Sequence, residues 1–257
     1  MAYKLTWLAD VLREADLSVV EEKGWQTRGR RDFASVEGII CHHTAGAIGR
    51  SSLGIVRDGR SDLPGPLSQL YLSRVGIYHV VAAGTANHAG RGKWQGVTNG
   101  NTRMIGIEAE NNGIGEPWSP PIMASYRKGV AAILDHLKLP TLMCCGHREY
   151  ALPKGRKPDP SFDMNEFRVD VERVRQGALV IINDPTDQTQ TDQIKKLRVV
   201  GVAPETLNFR ATPNGEKRGE LNEDTIVDRL DEGPNWTKVK TPGGFVGWVA
   251  SRYLKQL

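Results

Sequence analysis

The chain contains little cysteine and no long hydrophobic run, and each shortage excludes a class of protein. Three cysteines stand among 257 residues, and two of them, Cys144 and Cys145, are adjacent. Secreted domains that depend on disulfides usually carry an even and larger number of cysteines at regular spacings. We therefore expect reduced thiols that pack as small hydrophobic side chains.

A membrane-spanning helix needs about 20 consecutive apolar residues, and no stretch of the sequence approaches that length. The N-terminal segment lacks a continuous apolar region and includes Asp10, which is unlike a secretory signal peptide. We therefore expect a protein that is made in the cytoplasm without a signal peptide or a transmembrane segment. Action outside the cytoplasm would then require a separate release step.

The charge balance is mildly basic, with a formal net charge of +4 and a pI near 9.0. This balance is compatible with attraction to an anionic polymer such as a cell wall or a nucleic acid. No run of lysine and arginine is interleaved with aromatic residues, so we expect no nucleic-acid groove. Hydrophobic residues make up 39% and charged residues 25%, as in ordinary globular proteins.

Residues 1–179 mix helix and strand patterns, which predicts an α/β domain. Amphipathic spacing predicts helices over Leu5–Ala15, Pro120–Leu137 and Asp163–Val174. Apolar runs predict strands, among them Leu70–Ser73, Ile77–Ala83, Met104–Glu110 and Thr141–His147.

The rest of the chain changes character. Residues 180–195 are predicted to form a linker, because Asp184–Asp192 has no strongly apolar residue. Residues 196–257 carry short β-rich pieces between Pro/Gly turns and show no helical period, which predicts a small all-β barrel. The predicted strands are Leu207–Arg210, Thr225–Leu230, Trp236–Lys240 and Phe245–Ala250.

The first candidate for chemistry is a pair of adjacent histidines. The apolar run Gly38–Cys41 leads directly into His42 and His43, as in a buried strand that delivers imidazoles to a cleft at its C-terminal end. Neighbouring side chains on a strand point to opposite faces, so only one of the two histidines should reach a given metal ion. Taken alone, the pair is equally typical of a packed core.

His147 and Asp159 are further candidate ligands. Catalytic zinc takes three protein ligands and leaves one position open for water, whose pKa falls to about 7. Amide hydrolysis also needs a proton shuttle and a positive partner for the oxyanion. Glu108 and Lys157 suit these two tasks, although each residue type is more often a solvated surface charge.

Five motifs, in this order, resemble those of the zinc-dependent N-acetylmuramoyl-L-alanine amidases of the type-2 amidase family. That family includes phage lysins and is related to peptidoglycan-recognition proteins. The resemblance covers roughly residues 30–175. The motifs are Ile40-Cys41-His42-His43-Thr44-Ala45, Asn87-His88-Ala89-Gly90, Ile105-Gly106-Ile107-Glu108, Gly146-His147-Arg148 and Gly155-Arg156-Lys157-Pro158-Asp159-Pro160.

The resemblance implies a mixed central sheet flanked by helices and one zinc ion held by His42, His147 and Asp159. It implies Glu108 as the catalytic carboxylate and Lys157 as the residue that assists the transition state. Family members use Cys or Asp as the third ligand, and the matching position here is Asp159. Another branch uses a catalytic Tyr, but the matching stretch, Ser68-Gln69-Leu70, contains none.

A second group of residues is assigned to substrate by the same resemblance. His88 and Asn87 belong to a motif that lines the family's substrate cleft, so both are expected to bind substrate. His43 is expected either to contact the substrate with them or to pack behind His42.

The tail is similar to a bacterial SH3-like domain, a module that often binds cell-wall polymers. The similarity rests on Leu207–Pro213, Trp236–Val239, Gly247–Ala250 and Tyr253-Leu254. For Trp236 and Trp248 we favour the barrel core over contact with a ligand.

Together these resemblances imply a hydrolase that cuts the amide between N-acetylmuramic acid and L-alanine in peptidoglycan. A phage or prophage endolysin is the expected setting, with peptidoglycan as the partner and a monomeric state. Three alternatives remain open at this point. They are a non-catalytic peptidoglycan-binding protein, a zinc peptidase acting within the stem peptide, and a cytoplasmic recycling amidase.

Overall fold

The computed structural model describes residues 4–177, 196–242 and 245–257. The chain divides into two compact units, Met1–Val180 and Ile181–Leu257. The segment predicted to be a linker, residues 180–195, lies outside the described residues.

The N-terminal unit mixes helices and strands throughout. Its helices are α1 (Leu8–Glu14), α2 (Leu53–Asp58), α3 (Gly100–Arg103), α4 (Pro120–Leu137), α5 (His147–Tyr150) and α6 (Met164–Arg175). Its strands are β1 (Val19–Glu21), β2 (Ile39–His43), β3 (Gly59–Arg60), β4 (Leu63–Pro64), β5 (Leu70–Leu72), β6 (Tyr78–Val80), β7 (Ile105–Ala109) and β8 (Cys144–Gly146).

Six of these strands form one mixed sheet in the order β1-β6-β5-β7-β2-β8. Strand β2 runs parallel to both β7 and β8, and β5 runs parallel to β7. Strands β5 and β6, both predicted as strands, pair as an antiparallel hairpin. The α/β class and the mixed central sheet are therefore confirmed.

Strand β2 is buried along its whole length because helices and loops cover both faces of the sheet. On one face, Ile39 and Cys41 pack into the main core with Tyr126 and Ile133 of α4. On the other face, Ile40 packs in a smaller cluster with Ala89, Val97, Met104, Cys145 and Tyr150. Residues buried on both faces explain why this strand reads as a continuous apolar run.

Helix α4 has the predicted bounds, and helix α6 begins one residue after its predicted start. Pro120 and Pro121 occupy the first turn of α4, where a missing amide hydrogen is tolerated. The Asp163 side chain caps α6 by accepting hydrogen bonds from the Asn165 and Glu166 amides, at 2.7 and 3.0 Å. This cap fixes the N-terminus of the helix.

The strand predicted over Thr141–His147 is shorter than expected. Thr141–Met143 forms a 3-10 turn, only Cys144–Gly146 is extended, and His147 begins α5. The Glu149 carboxylate accepts a hydrogen bond from the Gly146 amide at 2.9 Å, which stabilises the start of that helix. His147 therefore projects from a strand-to-helix junction rather than from a strand.

The C-terminal unit is all-β, as predicted. Its strands are β9 (Lys196–Val199), β10 (Leu207–Arg210), β11 (Lys217–Leu221), β12 (Ile226–Glu232), β13 (Trp236–Lys240), β14 (Val246–Ala250) and β15 (Leu254–Gln256). They pair in the order β11-β10-β14-β13-β12-β9-β15. Strands β9, β11 and β15, each of which contains at least one charged residue, were not predicted.

The core position favoured for Trp236 and Trp248 is wrong. Both side chains are half-buried, whereas their neighbours Thr237, Val239 and Val249 are buried. Strand alternation turns the small and branched residues inward and leaves the two indoles on the outer face.

Among the described residues, none of the helices combines the length and the apolar character that crossing a membrane requires.

Tyr126 of α4 connects the helix to the central strands through one hydroxyl. The hydroxyl accepts a hydrogen bond from the His42 amide at 3.0 Å and donates to the Ile107 carbonyl at 3.0 Å. We expect Tyr126→Phe to lower the free energy of unfolding by about 1–3 kcal/mol, because it leaves a buried amide without a partner.

Tyr78→Phe is the matched control for chemical denaturation. Tyr78 is also fully buried against α4, but its hydroxyl donates to the Ser125 carbonyl at 3.2 Å and accepts from no backbone amide among the described residues. Its loss should cost less. Equal losses in the two variants would contradict the role assigned to the Tyr126 hydroxyl.

Candidate active site

The sheet register brings the candidate side chains to one edge. His42 of β2 lies beside Glu108 of β7, and Cys41 lies beside Gly146 of β8. His147 is the next residue after β8. Because the three strands are parallel, their carboxyl ends meet at the same edge.

A loop then returns Asp159 to this edge. The Arg148 amide donates a hydrogen bond to the Asp159 carbonyl at 2.7 Å. This contact ties the loop to the first turn of α5, which also carries His147.

Three ligand-type atoms converge at the centre of the site. His42 Nδ1 lies 3.0 Å from His147 Nδ1 and 3.0 Å from Asp159 Oδ2, and His147 Nδ1 lies 3.1 Å from Asp159 Oδ2. The three residues are 1%, 4% and 7% exposed. They form the group of His, Cys, Asp or Glu side chains found able to hold a metal ion among the described residues.

The donor set fits a divalent cation. Two imidazole nitrogens and one carboxylate oxygen form a three-ligand set of the kind that catalytic zinc sites use. The outer nitrogen of His147, Nε2, lies 3.0 Å from the Ala89 carbonyl oxygen. Since a carbonyl only accepts, Nε2 carries the hydrogen and the inner Nδ1 of the neutral ring keeps its lone pair for a metal.

The protonation states also suit a metal site. Burial, with a smaller electrostatic effect of the neighbouring His147 imidazole, lowers the pKa of His42 to about 4, although Asp159 opposes the shift. Burial alone would raise the pKa of Asp159, but the adjacent imidazoles of His147 and His42 outweigh it and hold that pKa well below its usual range. At neutral pH, His42 is therefore neutral and Asp159 ionised, as metal ligation requires.

Glu108 faces the three ligands. Its Oε1 lies 3.9 Å from His42 Nδ1 and its side chain is 17% exposed. Its Oε2 is buried and finds no hydrogen-bond partner among the described residues. Burial and the negative charge of Asp159 raise the pKa of Glu108 to about 8, against an opposing effect of Lys157. A carboxyl group with a pKa near neutrality is suited to accept and return a proton.

Lys157 stands two residues before Asp159 on the same loop and is partly exposed. Its positive charge lowers the pKa of both His42 and Glu108. The ammonium group therefore acts electrostatically on both His42 and Glu108.

The three residues expected to bind substrate, His43, Asn87 and His88, lie in different surroundings. His43 is 8% exposed, lies against Gly113 and has its ring centroid 6.4 Å from that of Trp118. The Asn87 side chain donates to the Pro64 carbonyl at 2.8 Å. His88 is 7% exposed and contacts His42, with His88 Nδ1 lying 3.1 Å from His42 Nε2.

Sequence reasoning missed the backbone and side-chain groups that support the site. They include the Ala89 carbonyl, the Tyr126 hydroxyl and the Asn101 carboxamide. Every residue has a carbonyl, so the sequence does not distinguish the one at Ala89. Tyr126 follows the apolar pattern of an ordinary core helix. Only the fold reveals these contacts.

Comparison with known families gives two matches. Residues 32–162 match the model of the N-acetylmuramoyl-L-alanine amidase family, about half of the chain. Residues 205–255 match the bacterial SH3 domain. No curated protein matches the chain.

Several solved structures align with part of this chain. The endolysin N-acetylmuramoyl-L-alanine amidase LysCS from Clostridium intestinale URNW is 18% identical, with a TM-score of 0.48 over 60% of this chain and 95% of that one. A selenomethionine derivative of AmpD is 20% identical, with a TM-score of 0.45 and coverage of 66% and 99%. The amidase AmiD from E. coli is 21% identical, with a TM-score of 0.45 and coverage of 59% and 65%.

The raised pKa of Glu108 predicts a pH-dependent stability in the metal-free protein. The folded state holds this proton up to about pH 8, against a usual pKa of 4.5. The proton on Glu108 therefore stabilises the folded state fully below about pH 4.5, and this stabilisation is lost as the pH rises through 8. Relative to Glu108→Gln, the metal-free protein should lose a few kcal/mol of stability between about pH 5 and about pH 8.5.

Urea denaturation after dialysis against a chelator measures this difference. Glu14→Gln, a substitution at an exposed glutamate of α1, is the matched control and should follow the parent protein at every pH. A stability gap between the parent protein and Glu108→Gln that stays constant across the pH range would rule out the raised pKa.

Proposed function

The chain belongs to the N-acetylmuramoyl-L-alanine amidase family, and we propose that it is a zinc enzyme that cuts peptidoglycan between N-acetylmuramic acid and L-alanine. Zinc would be held by His42, His147 and Asp159. Peptidoglycan amidase activity follows from the family itself. The identity of the metal and the role of each residue are the proposed part.

The observation that carries the proposal is the convergence of three ligand atoms opposite an unpaired carboxylate oxygen. The ligand atoms lie 3.0–3.1 Å from one another, and Glu108 Oε2 has no partner among the described residues. A purely binding protein has no use for a buried carboxylate with a raised pKa beside a metal site.

The residues divide the work of amide hydrolysis. Zinc, when bound, supplies the Lewis acidity that polarises the scissile carbonyl and makes a water more acidic. Glu108 removes the proton from the attacking water and then delivers it to the amide nitrogen that leaves as the L-alanine amine. Lys157 places positive charge near the oxygen that becomes negative in the transition state.

The C-terminal unit would hold the enzyme on the wall through a groove of about 910 Å³. Trp236 and Tyr253 offer flat rings, and Asn208, Arg210 and Glu205 offer polar groups along its lining. Half-buried aromatic rings beside polar side chains suit a glycan or peptide polymer. This pairing of an amidase with a wall-binding unit supports a bacteriolytic, endolysin-type role.

Substitutions in the site should separate metal binding from catalysis. His42→Ala, His147→Ala and Asp159→Ala should each lose bound zinc and turnover, because two ligands hold the ion poorly. Glu108→Gln should keep one zinc per chain and lose roughly 10²–10⁴-fold in kcat, since it cannot take the proton. Lys157→Ala should cost about 10²-fold.

Metal analysis and mass spectrometry of digested wall are the measurements. New N-terminal L-alanine would identify the amidase reaction, and a new terminus within the stem peptide would identify a peptidase. Zinc-loaded protein that releases nothing would favour a binding protein. Near-normal turnover in Glu108→Gln would overturn the assignment of the base.

The two outward tryptophans of the C-terminal unit give a matched test of wall binding. Trp236 lines the groove, whereas Trp248 has the same half-burial on the next strand and lies outside the lining. We expect Trp236→Ala to weaken pelleting with purified wall several-fold and Trp248→Ala to leave it unchanged. Both variants should cleave a soluble muropeptide normally. Equal wall binding by the two variants would remove the groove from the proposal.

A further inference from the structure

We propose that His88 is a positioning residue for the metal rather than a residue that binds substrate. With the neighbouring Ala89 carbonyl, it would fix both histidine ligands so that each presents Nδ1. The inference rests on the proposed metal site, and it concerns a segment that lies behind the ligands.

The first step is the proton on His88. Its Nε2 lies 3.1 Å from the Met104 carbonyl oxygen, which can only accept a hydrogen bond. Nε2 must therefore carry the hydrogen. In a neutral ring, Nδ1 is then a bare acceptor.

The second step follows at His42. His88 Nδ1 lies 3.1 Å from His42 Nε2, so the His42 nitrogen must donate. The hydrogen of His42 is thereby held on Nε2, and its Nδ1 lone pair is left facing His147 and Asp159 at 3.0 Å. The chain of contacts from the Met104 carbonyl through His88 thus sets the tautomer of a ligand, as outer contacts do at metal sites.

The surroundings leave little freedom for the His88 ring. A Cβ atom on Gly106 of β7 would lie 2.7 Å from His88 Cγ and 2.8 Å from Nδ1. The ring therefore rests directly on the backbone of β7, in space that only glycine leaves open. A side chain packed in this way is poorly placed to reach out to a substrate.

One carboxamide holds the whole segment. Asn101 Oδ1 accepts hydrogen bonds from the His88 amide at 2.9 Å and from the Ala89 amide at 2.6 Å. The Ala89 carbonyl in turn accepts from His147 Nε2 at 3.0 Å. The consecutive residues His88 and Ala89 therefore contact one histidine ligand each. Asn101 holds the backbone of both His88 and Ala89.

The first test uses the unmodified protein. In the metal-free protein near neutral pH, ¹⁵N NMR of the imidazole rings should show His42, His88 and His147 all with the hydrogen on Nε2. A hydrogen on Nδ1 of His88 would overturn the proposal. This readout needs no substrate and no variant that has to fold.

The second test measures zinc affinity by competition with a chelator. His88→Phe keeps the ring volume but removes the acceptor, and it should weaken zinc binding by about 10–100-fold. His88→Gln keeps a carbonyl acceptor and an amide donor, so it should recover much of that loss. Asn101→Ala should weaken zinc binding while all the imidazoles remain.

His79→Phe is the control for loss of an imidazole. His79 lies on β6, where it is hydrogen-bonded to Glu22 at 3.0 Å, and the variant should bind zinc as the parent protein does. At saturating zinc, His88→Phe should recover most of kcat with an unchanged KM for substrate. Unchanged zinc affinity with a raised KM would instead make His88 a substrate residue and overturn the proposal.

These outcomes remain distinct from failure of the proposed function. If the parent protein bound no zinc, the metal assignment would fail, whereas the ring tautomers would still decide whether His88 sets the orientation of His42.

Discussion

The mutual approach of three proton acceptors is the constraint on which the site depends. His42 Nδ1, His147 Nδ1 and Asp159 Oδ2 lie within 3.0–3.1 Å of one another in a buried place. Without a shared cation or proton, such groups repel one another and lose their hydration. The sheet can hold them there because β2, β7 and β8 are parallel and end together, with backbone groups already paired along β2.

The same burial shifts the pKa of Glu108 towards the range in which a carboxyl group can accept and return a proton. Its carboxylate lies beside Asp159, and burial and like charge together favour its protonated form. A dication held by two neutral imidazoles and one carboxylate would leave one net positive charge. That charge would favour the ionised form of Glu108, so that metal binding and the readiness of the base become linked.

Much of the fold could be predicted from the sequence, and the limit of that prediction has a physical cause. Helix α4 and the strand that carries His42 were predictable because their apolar periodicity is local. The alternation rule also separated His42 from His43, and the structure places only His42 beside His147 and Asp159. Strands β9, β11 and β15 were missed because pairing with neighbours, rather than apolar content, makes them strands.

The supporting contacts were beyond reach for a different reason. The hydrogens that orient His42 and His147 are directed by the Met104 and Ala89 carbonyls, and every residue has a carbonyl. The motif that contains His88 resembles a substrate-lining element, yet the observed ring is buried against His42. Residue type alone could not distinguish these roles, because the same imidazole can bind a substrate or orient a ligand.

Neutral outer partners have a consequence for the ligands themselves. A carboxylate behind His42 would raise the basicity of the imidazole and favour its protonation, which would compete with metal binding. A carbonyl reached through a neutral imidazole fixes the hydrogen without adding charge. The ionised Asp159 is then the only negative ligand, and the positive charge of a bound metal remains available to the scissile carbonyl and to Glu108. In the proposed site, backbone dipoles would thus orient the ligands, and the few buried charges would be kept for the reaction.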